Sequence, residues 1–432
     1  MSNSIVIVGG GAGGLELACK LGRKVDPSRV VLVDSRLYHI WKPSLHEVAA
    51  GTLDIHQEGL SYQMLAHDNG FTFVYGAFAA LDAGNHVLTV AAVKADDGEE
   101  YLPERQLQFG SLVIAVGSTS NYFGVRGASE NTISLNAPED AERFRLKVLK
   151  LLTLAELQKG AQANPRLDIV IIGGGATGVE LAAELYEAMH EYADYGFHQL
   201  DIKNSFHITL FEGASRILAP LPERVSSAAT KLLAKRGITV VTDCKVTEIK
   251  SAQVIDAAGA TYPTDLCVWA AGIKAPDFLT TLGLPTNRSS QLEVSGALNV
   301  KGFPDIFAFG DCAACPTADG KLVPPRAQAA HQQADYLLKT FIRQIHGKPP
   351  QESPFIYRDY GSLVSLGQQT TVGSLMGALK GMSWFVDGLL ARVMYISLHL
   401  MHHRAVLGTV RTAVLAIARF LIKRTTPLVK LH

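Results

Sequence analysis

The chain has 432 residues, room for two or three domains at about 150 residues each. With 47% hydrophobic and 19% charged residues it cannot be wholly disordered, and 40 Lys+Arg balanced by 40 Asp+Glu lack the basic surplus of a nucleic-acid binder. Five cysteines (Cys19, Cys244, Cys267, Cys312 and Cys315) are too few for a disulfide scaffold.

The first predicted elements form a βαβ opening. A buried strand at Ile5–Val8 is followed by a glycine-rich turn, a helix over Ala12–Lys24 and a second strand at Val30–Asp34. Phe71–Val74 and Val87–Val90 read as strands of a β-rich excursion. Ser111–Gly117 is a further buried strand ending in a glycine turn, and Pro138–Gln158 a long helix before a loop with Pro165. At Leu167 the pattern restarts. IVIIGGGATGVELAAEL repeats IVIVGGGAGGLELACKL, 164 residues downstream, which implies two copies of one dinucleotide-binding unit. Strands at His207–Phe211, Ile238–Val241 and Leu266–Trp269 complete the second copy. A strand at Ile306–Phe309 ends at Gly310-Asp311, a helix covers Ala327–Ile345, and Pro349, Pro350 and Pro354 mark a linker.

The net charge of zero hides an asymmetry. Leu389–His432 holds seven Lys/Arg and no Asp/Glu, leaving 33 basic against 40 acidic residues upstream. Read as one helix, this segment puts Val406, Val410, Ala413, Val414, Ile417, Phe420 and Leu421 on one face, with Arg404, Arg411, Arg419 and Lys423 away from it. That is the form of a helix lying in a membrane surface. No stretch reaches the ~18 uncharged apolar residues of a spanning helix. The chain begins with no signal-like segment, so the soluble part is expected to face the cytoplasm.

Two motifs carry the chemistry. Gly9-Gly10-Gly11-Ala12-Gly13-Gly14 is a G-x-G-x-x-G between strand and helix. Gly9 permits the turn, Gly11 lets the backbone approach a pyrophosphate at the helix N-terminus, and Gly14 lets helix and strand pack. Asp34, 20 residues beyond Gly14, can accept the ribose hydroxyls. In the second copy, Gly173, Gly175 and Gly178 take these places and Glu212 is the acid. A carboxylate there repels a 2′-phosphate and favours NADH over NADPH, an inference that the nearby Arg216 weakens. Two such units mean two dinucleotides, and the economical pair is a bound flavin and a diffusing nicotinamide. Glu180, in the first turn of the second helix, is either a partner for the helix dipole or a carboxylate at the nicotinamide–flavin contact. Cys312 and Cys315 form a C-x-x-C that reads more readily as two structural thiols than as a redox pair. The cluster His399-Leu400-Met401-His402-His403 offers a copper-binding reading, but decoration of an interfacial helix fits it better, with His399 and His403 on the polar face beside Arg392. No metal site is expected.

Together these residues resemble the two-dinucleotide flavoprotein reductases of the pyridine nucleotide-disulfide oxidoreductase superfamily. More narrowly, the chain resembles the type II NADH:quinone oxidoreductases, the single-subunit, non-proton-pumping respiratory NADH dehydrogenases. Specific strings are WKPSLHEVAAG (Trp41–Gly51), VIAVGS (Val113–Ser118), VWAAGIKAPDF (Val268–Phe278), FAFGDCAACP (Phe307–Pro316), PPRAQAAHQ (Pro324–Gln332) and GSLVSL (Gly361–Leu366). The resemblance implies an α/β fold with two Rossmann-like domains, for FAD and for NADH, and a C-terminal amphipathic helical segment that binds the membrane. The expected boundaries are 1–117 with 289–350 for FAD, 118–288 for NADH and 351–432 for the C-terminal part. Asp311 corresponds to the acid on the flavin ribityl chain. Gly9, Gly10, Gly11, Ala12, Gly13, Gly14, Asp34 and Ser35 match the ADP half of the FAD site, Lys42 and Pro43 a loop close to the flavin, and Phe78 a position at the adenine. Ala327 is included with the FAD site. Ala270 and Gly272 match the loop over NADH, and the resemblance favours the catalytic role for Glu180. Gln328, His331 and Gln332 match the motif at the quinone end. Implied partners are a membrane quinone, ubiquinone in type, and an anionic lipid surface at the cytoplasmic face of the cell membrane, with a homodimer left open. The rival readings are a disulfide or sulfide:quinone reductase, which would need well-placed redox cysteines, and an NADH-sensing binding module.

Overall fold

A computed structural model describes residues 4–95, 97–158, 166–195, 201–349, 351–367, 371–376, 383–422 and 429–430. Pro165, Pro350 and Lys423, and the side chains of Arg392 and Phe420, lie outside what is described.

Two five-stranded parallel sheets carry the molecule. In the first, the spatial order is Ile306–Ala308, Ser111–Ile114, Ile5–Val8, Val30–Asp34 and Thr72–Tyr75. In the second it is Ile133–Ser134, Leu266–Trp269, Leu167–Ile172, Phe206–Phe211 and Thr239–Val241. The central strands, IVIV and LDIVII, are β-branched runs buried along nearly their whole length, as strands covered on both faces require. The repeated sequence thus gives a repeated fold. The sheets differ in one edge strand: the first takes Ile306–Ala308 from far downstream, the second takes Ile133–Ser134 from upstream. The chain therefore leaves the first sheet, builds the second and returns.

Thr72–Tyr75 corrects one expectation. It is the edge of the first parallel sheet, whereas Val87–Val90 is the middle of a separate antiparallel sheet between Phe78–Asp82 and Arg105–Gln108. Apolar alternation in a four-residue run does not reveal which sheet the strand joins. The helices at Pro138–Gln158 and Ala327–Ile345 lie where the apolar period places them.

Past the second sheet, a three-stranded antiparallel sheet (Gly361–Ser365, Thr371–Met376 and Ser383–Asp387) precedes two helices, Gly388–Leu407 and Thr409–Ile422. The tail is therefore not one helix. Gly408, at φ +82°, breaks it in the left-handed region that glycine enters without strain. The break parts Val406, which is buried, from Val410, Val414, Ile417 and Leu421, which are 57–78% exposed. Among the described residues no helix is long and apolar enough to cross a membrane.

The tail is fastened to the first unit by polar contacts. Arg23 donates to the carbonyls of Ala405 and Val406 at 2.9 and 2.5 Å. Arg411 pairs with Asp68, Arg419 with Glu58, and Lys430 with Asp54 at 3.0 Å. Three of the seven basic residues thus neutralise acids of the body, which corrects the picture of a free basic face.

Candidate active site

The two glycine turns are built alike. Each first glycine ends its strand at positive φ, +101° for Gly9 and +114° for Gly173, and donates its N–H to the neighbouring strand at 2.8 Å, to Val33 and Phe211 respectively. A Cβ on Gly14 would lie 1.9 Å from the Gly9 carbonyl oxygen, and one on Gly178 2.0 Å from that of Gly173, so the third glycine is fixed by helix–strand packing. At Gly11 and Gly175 a Cβ would meet no protein atom within 4 Å. The middle glycine of each turn therefore faces open space at a helix N-terminus, the place a pyrophosphate requires. Gly10 packs against the Tyr62 ring, Gly13 against Phe309 and the Ala327–Ile345 helix, and Ala12 opens the first helix.

The two acids also match. Asp34 accepts the Gly10 N–H at 2.6 Å and the Arg36 N–H at 2.8 Å. Glu212 accepts the Gly174 N–H at 2.7 Å and the Ala214 N–H at 2.8 Å. Each carboxylate is thus held at the tip of its strand beside the glycine turn, where a ribose would lie. Ser35, next to Asp34, is exposed. Arg216 donates to the carbonyls of Leu218 and Ala219, which ties its guanidinium to its own loop. The longer spacing to Glu212 comes from a second helix that runs through Ala176–Tyr195, against Ala12–Gly22 for the first. Gly272, at φ +69°, is covered by the Phe123 ring, and Ala270 donates to the Ile172 carbonyl at 2.8 Å. Phe78 is buried edge-on against Phe278.

Asp311 lies in the short turn Gly310–Cys312 that follows the edge strand Ile306–Ala308. Its Oδ2 accepts from Ser118 Oγ at 2.7 Å, and Lys42 Nζ donates to the Ser118 carbonyl at 3.1 Å. Pro43 lies in the same short 3-10 turn as Lys42. Burial pushes the Lys42 ammonium down from its ordinary value, with Asp311 opposing. Sequence reading missed Ser118 and Gln333 as site residues. Buried Gln333 accepts the Gly310 N–H at 2.9 Å and so fixes the turn that presents Asp311. The VIAVGS string contains Ser118; nothing in the sequence signals Gln333.

Glu180 is buried where the second helix meets the Leu45–Ala50 helix and the C-terminal sheet. Its Oε1 accepts the Ser365 N–H at 3.0 Å, and His46 Nδ1 is 3.6 Å from Oε2. Burial pushes its carboxyl up to about 7, with His46 and the Ser365 N–H opposing. One turn on, Glu184 accepts from Thr52 Oγ1 at 2.6 Å, and burial raises its pKa as well. The i,i+4 spacing was the available signal for Glu184. Burial, with the charges of Glu180, Glu47 and Glu184 adding to it, raises the phenol of Tyr395 on the first tail helix. A carboxyl that titrates near neutrality can hold a proton and release it.

The Ala327–Ile345 helix presents its polar residues on two sides. Gln328 and Gln332 do share a face, directed at 358–361. Gln328 Nε2 donates to the Gly361 carbonyl at 3.0 Å, and Gln332 both donates to and accepts from the Arg358 backbone, at 2.8 and 3.0 Å. His331 is not with them. It pairs with buried Glu16 of the first helix at 2.7 Å, beside Lys20 and Asp335; it directly precedes Gln332 and so lies about 100° around the helix from it.

The tail histidines overturn the reading of a solvated polar face. His402 and His403 are buried. His402 stacks on Trp41 at 4.2 Å and lies 2.9 Å, Nε2 to Nε2, from His39, whose Nδ1 meets the Gly10 carbonyl at 2.9 Å. The side that the sequence presents as polar is turned onto the body. Cys312 and Cys315 are buried too, and burial pushes their thiols up to about 12 and about 11, the state of inert structural cysteines.

The family model for pyridine nucleotide-disulphide oxidoreductases matches residues 3–334. The chain is 37% identical over 446 residues to the type II NADH:quinone oxidoreductase of Haemophilus influenzae, covering 99% of this chain and 100% of that one. Its fold is similar to the NDH2 of Plasmodium falciparum in complex with NADH, at TM-score 0.80 and 19% identity over 100% of both chains. It is also similar to the sulfide:quinone oxidoreductase of Aquifex aeolicus, at TM-score 0.71 and 17% identity over 98% and 95% of the two. The chain belongs to the pyridine nucleotide-disulphide oxidoreductase family and, within it, to the type II NADH:quinone oxidoreductases.

Proposed function

We propose that the chain oxidises NADH and passes two electrons through bound FAD to a membrane quinone, ubiquinone in type, without moving protons across the bilayer. The H. influenzae relative is named for NADH:quinone oxidoreduction. The observation that carries the reading is the pair of matched cradles, each with an open middle glycine and an acid tied to its turn. We assign 1–117 with 289–350 to FAD, 118–288 to NADH and 351–432 to the membrane-facing part.

When bound, FAD supplies a hydride acceptor for NADH and a two-electron donor for the quinone. Gly9 through Gly14, with Asp34 and Ser35, would hold its ADP half; Lys42, Pro43 and Phe78 would line it; and Asp311 would hold the ribityl hydroxyls, positioned by Ser118 and Gln333. Ala327 opens the helix assigned to the flavin's quinone end. Gly173, Gly175, Gly178, Ala270 and Gly272 would seat NADH. The carboxylate of Glu212 disfavours the 2′-phosphate of NADPH, and Arg216 is turned to backbone carbonyls of its own loop. Glu180 would hold a proton at its carboxyl for the quinone end, and Gln328 and Gln332 would shape that end through the 358–361 segment.

The exposed Val410, Val414, Ile417 and Leu421, with Val393, Ile396 and Met401 on the preceding helix, suit burial in the boundary of a lipid leaflet. A quinone with a long isoprenoid tail stays in lipid, so the enzyme must approach it. We place the protein peripherally on the cytoplasmic face of the cell membrane. The buried thiols disfavour a sulfide:quinone chemistry, which needs reactive cysteines.

The test is anaerobic titration of FAD-loaded protein with NADH, followed by a short-chain ubiquinone. The expected result is bleaching of the flavin by NADH and recovery of its colour with quinone. Flavin that stays oxidised with excess NADH, or stays reduced with quinone, refutes the proposal.

A further inference from the structure

Glu58 ends a short helix, Ile55–Glu58, on the first unit. His399 and His403 lie one turn apart on the first tail helix, and their rings stack at 4.4 Å. Ligand atoms of all three lie within 4.8 Å of one another. A tetrahedral site with bonds of about 2.0–2.1 Å needs donors about 3.4 Å apart, a difference that side-chain rotation can close.

The orientation of His403 is already that of a ligand. Its Nδ1 meets the His399 carbonyl at 3.0 Å, and a carbonyl can only accept, so Nδ1 carries the proton. Nε2 is then the bare lone pair. A ligating histidine is held in the same way, by an outer partner on its other nitrogen. That lone pair points at a cation: Arg419 Nη2 lies 3.2 Å from His403 Nε2, and the same nitrogen pairs with Glu58. The guanidinium thus stands between the donors of Glu58 and His403. It is poorly satisfied there, because Arg419 Nε is buried with no hydrogen-bond partner among the described residues.

We propose that Glu58, His399 and His403 form a binding site for a divalent transition-metal ion of the zinc class, and that Arg419 is the chain's own competitor for it. Two imidazoles and one carboxylate suit such ions and leave a fourth position for water. The metal brings two positive charges to Glu58 in place of one, and the displaced arginine leaves with the second tail helix, which carries it. Metal binding and the fastening of that helix by Glu58 are therefore mutually exclusive. The proposal does not depend on the NADH and quinone reading.

The experiment uses FAD-loaded full-length protein freed of chelatable metal. Zn²⁺ affinity is measured by competition with a chromophoric chelator, and Co²⁺ is added separately to read a tetrahedral visible spectrum. One site is expected, with the Co²⁺ spectrum lost in H403A and E58Q. In each of these the Zn²⁺ affinity falls at least as far as the roughly 10–100-fold typical of losing an outer partner. Arg419→Ala removes the competitor and tightens Zn²⁺ binding about tenfold or more, whereas Arg419→Lys, which keeps a cation, tightens it less. Flavin content reports folding in every variant. If H403A or E58Q loses its flavin, the two Arg419 variants decide. Unchanged Zn²⁺ affinity in Arg419→Ala, or wild-type affinity in folded H403A or E58Q, overturns the site.

Discussion

Glu180→Gln offers a quantitative test of the buried carboxyl. Burial raises its pKa from 4.5 to about 7, while in the unfolded chain it keeps the ordinary value. Between those values the native protein holds a proton that the unfolded chain has released. Stability from this group is therefore full below pH 4.5, falls as pH rises, and is lost above about pH 7. At about 1.4 kcal/mol per pH unit, a rise of about 2.5 units corresponds to roughly 3 kcal/mol. Glutamine keeps the shape and can still accept the Ser365 N–H, but it does not titrate. The difference in unfolding free energy between E180Q and wild type should thus grow by roughly 3 kcal/mol from pH 4.5 to 8, in favour of E180Q. Urea unfolding at fixed pH steps with saturating FAD measures it. Parallel stability profiles for the two proteins across this window would show that Glu180 is not a carboxyl held protonated near neutrality.

Other perturbations separate the parts of the site. Gly178→Ala puts a methyl 2.0 Å from the Gly173 carbonyl, so flavin should stay bound while its reduction by NADH is lost in stopped-flow traces; Gly14→Ala should instead lose flavin. Gln333→Leu removes the acceptor of the Gly310 N–H and should weaken FAD retention by about 1–3 kcal/mol in equilibrium dialysis. Glu212→Gln should raise the NADPH-to-NADH ratio of kcat/KM at least several-fold; an unchanged ratio would remove Glu212 from nucleotide choice. Val414→Asp with Ile417→Asp should release the protein from liposomes at low and high salt alike, at a cost near 1.5–3 kcal/mol for each apolar side chain kept from burial.

Local pattern alone determined much of this protein. Two glycine turns, each between a β-branched strand and a helix, state their own purpose, because a close backbone approach and a helix N-terminus need those residues at that spacing. The i,i+4 pair Gln328 and Gln332 shares a face because helix geometry requires it. The tertiary structure decided what depends on neighbours distant in sequence. Thr72–Tyr75 joined the parallel sheet because a strand's partner is chosen by packing that its own residues do not record. Gly408 divided the tail, which then folded its histidines inward and set Arg411 and Arg419 against Asp68 and Glu58 of the first unit. Glu180 rose towards neutrality, and Gln333 came to hold the Asp311 turn, only once several segments closed around them. Periodicity is carried by adjacent residues; burial, charge pairing and proton affinity are set by whatever the fold brings alongside.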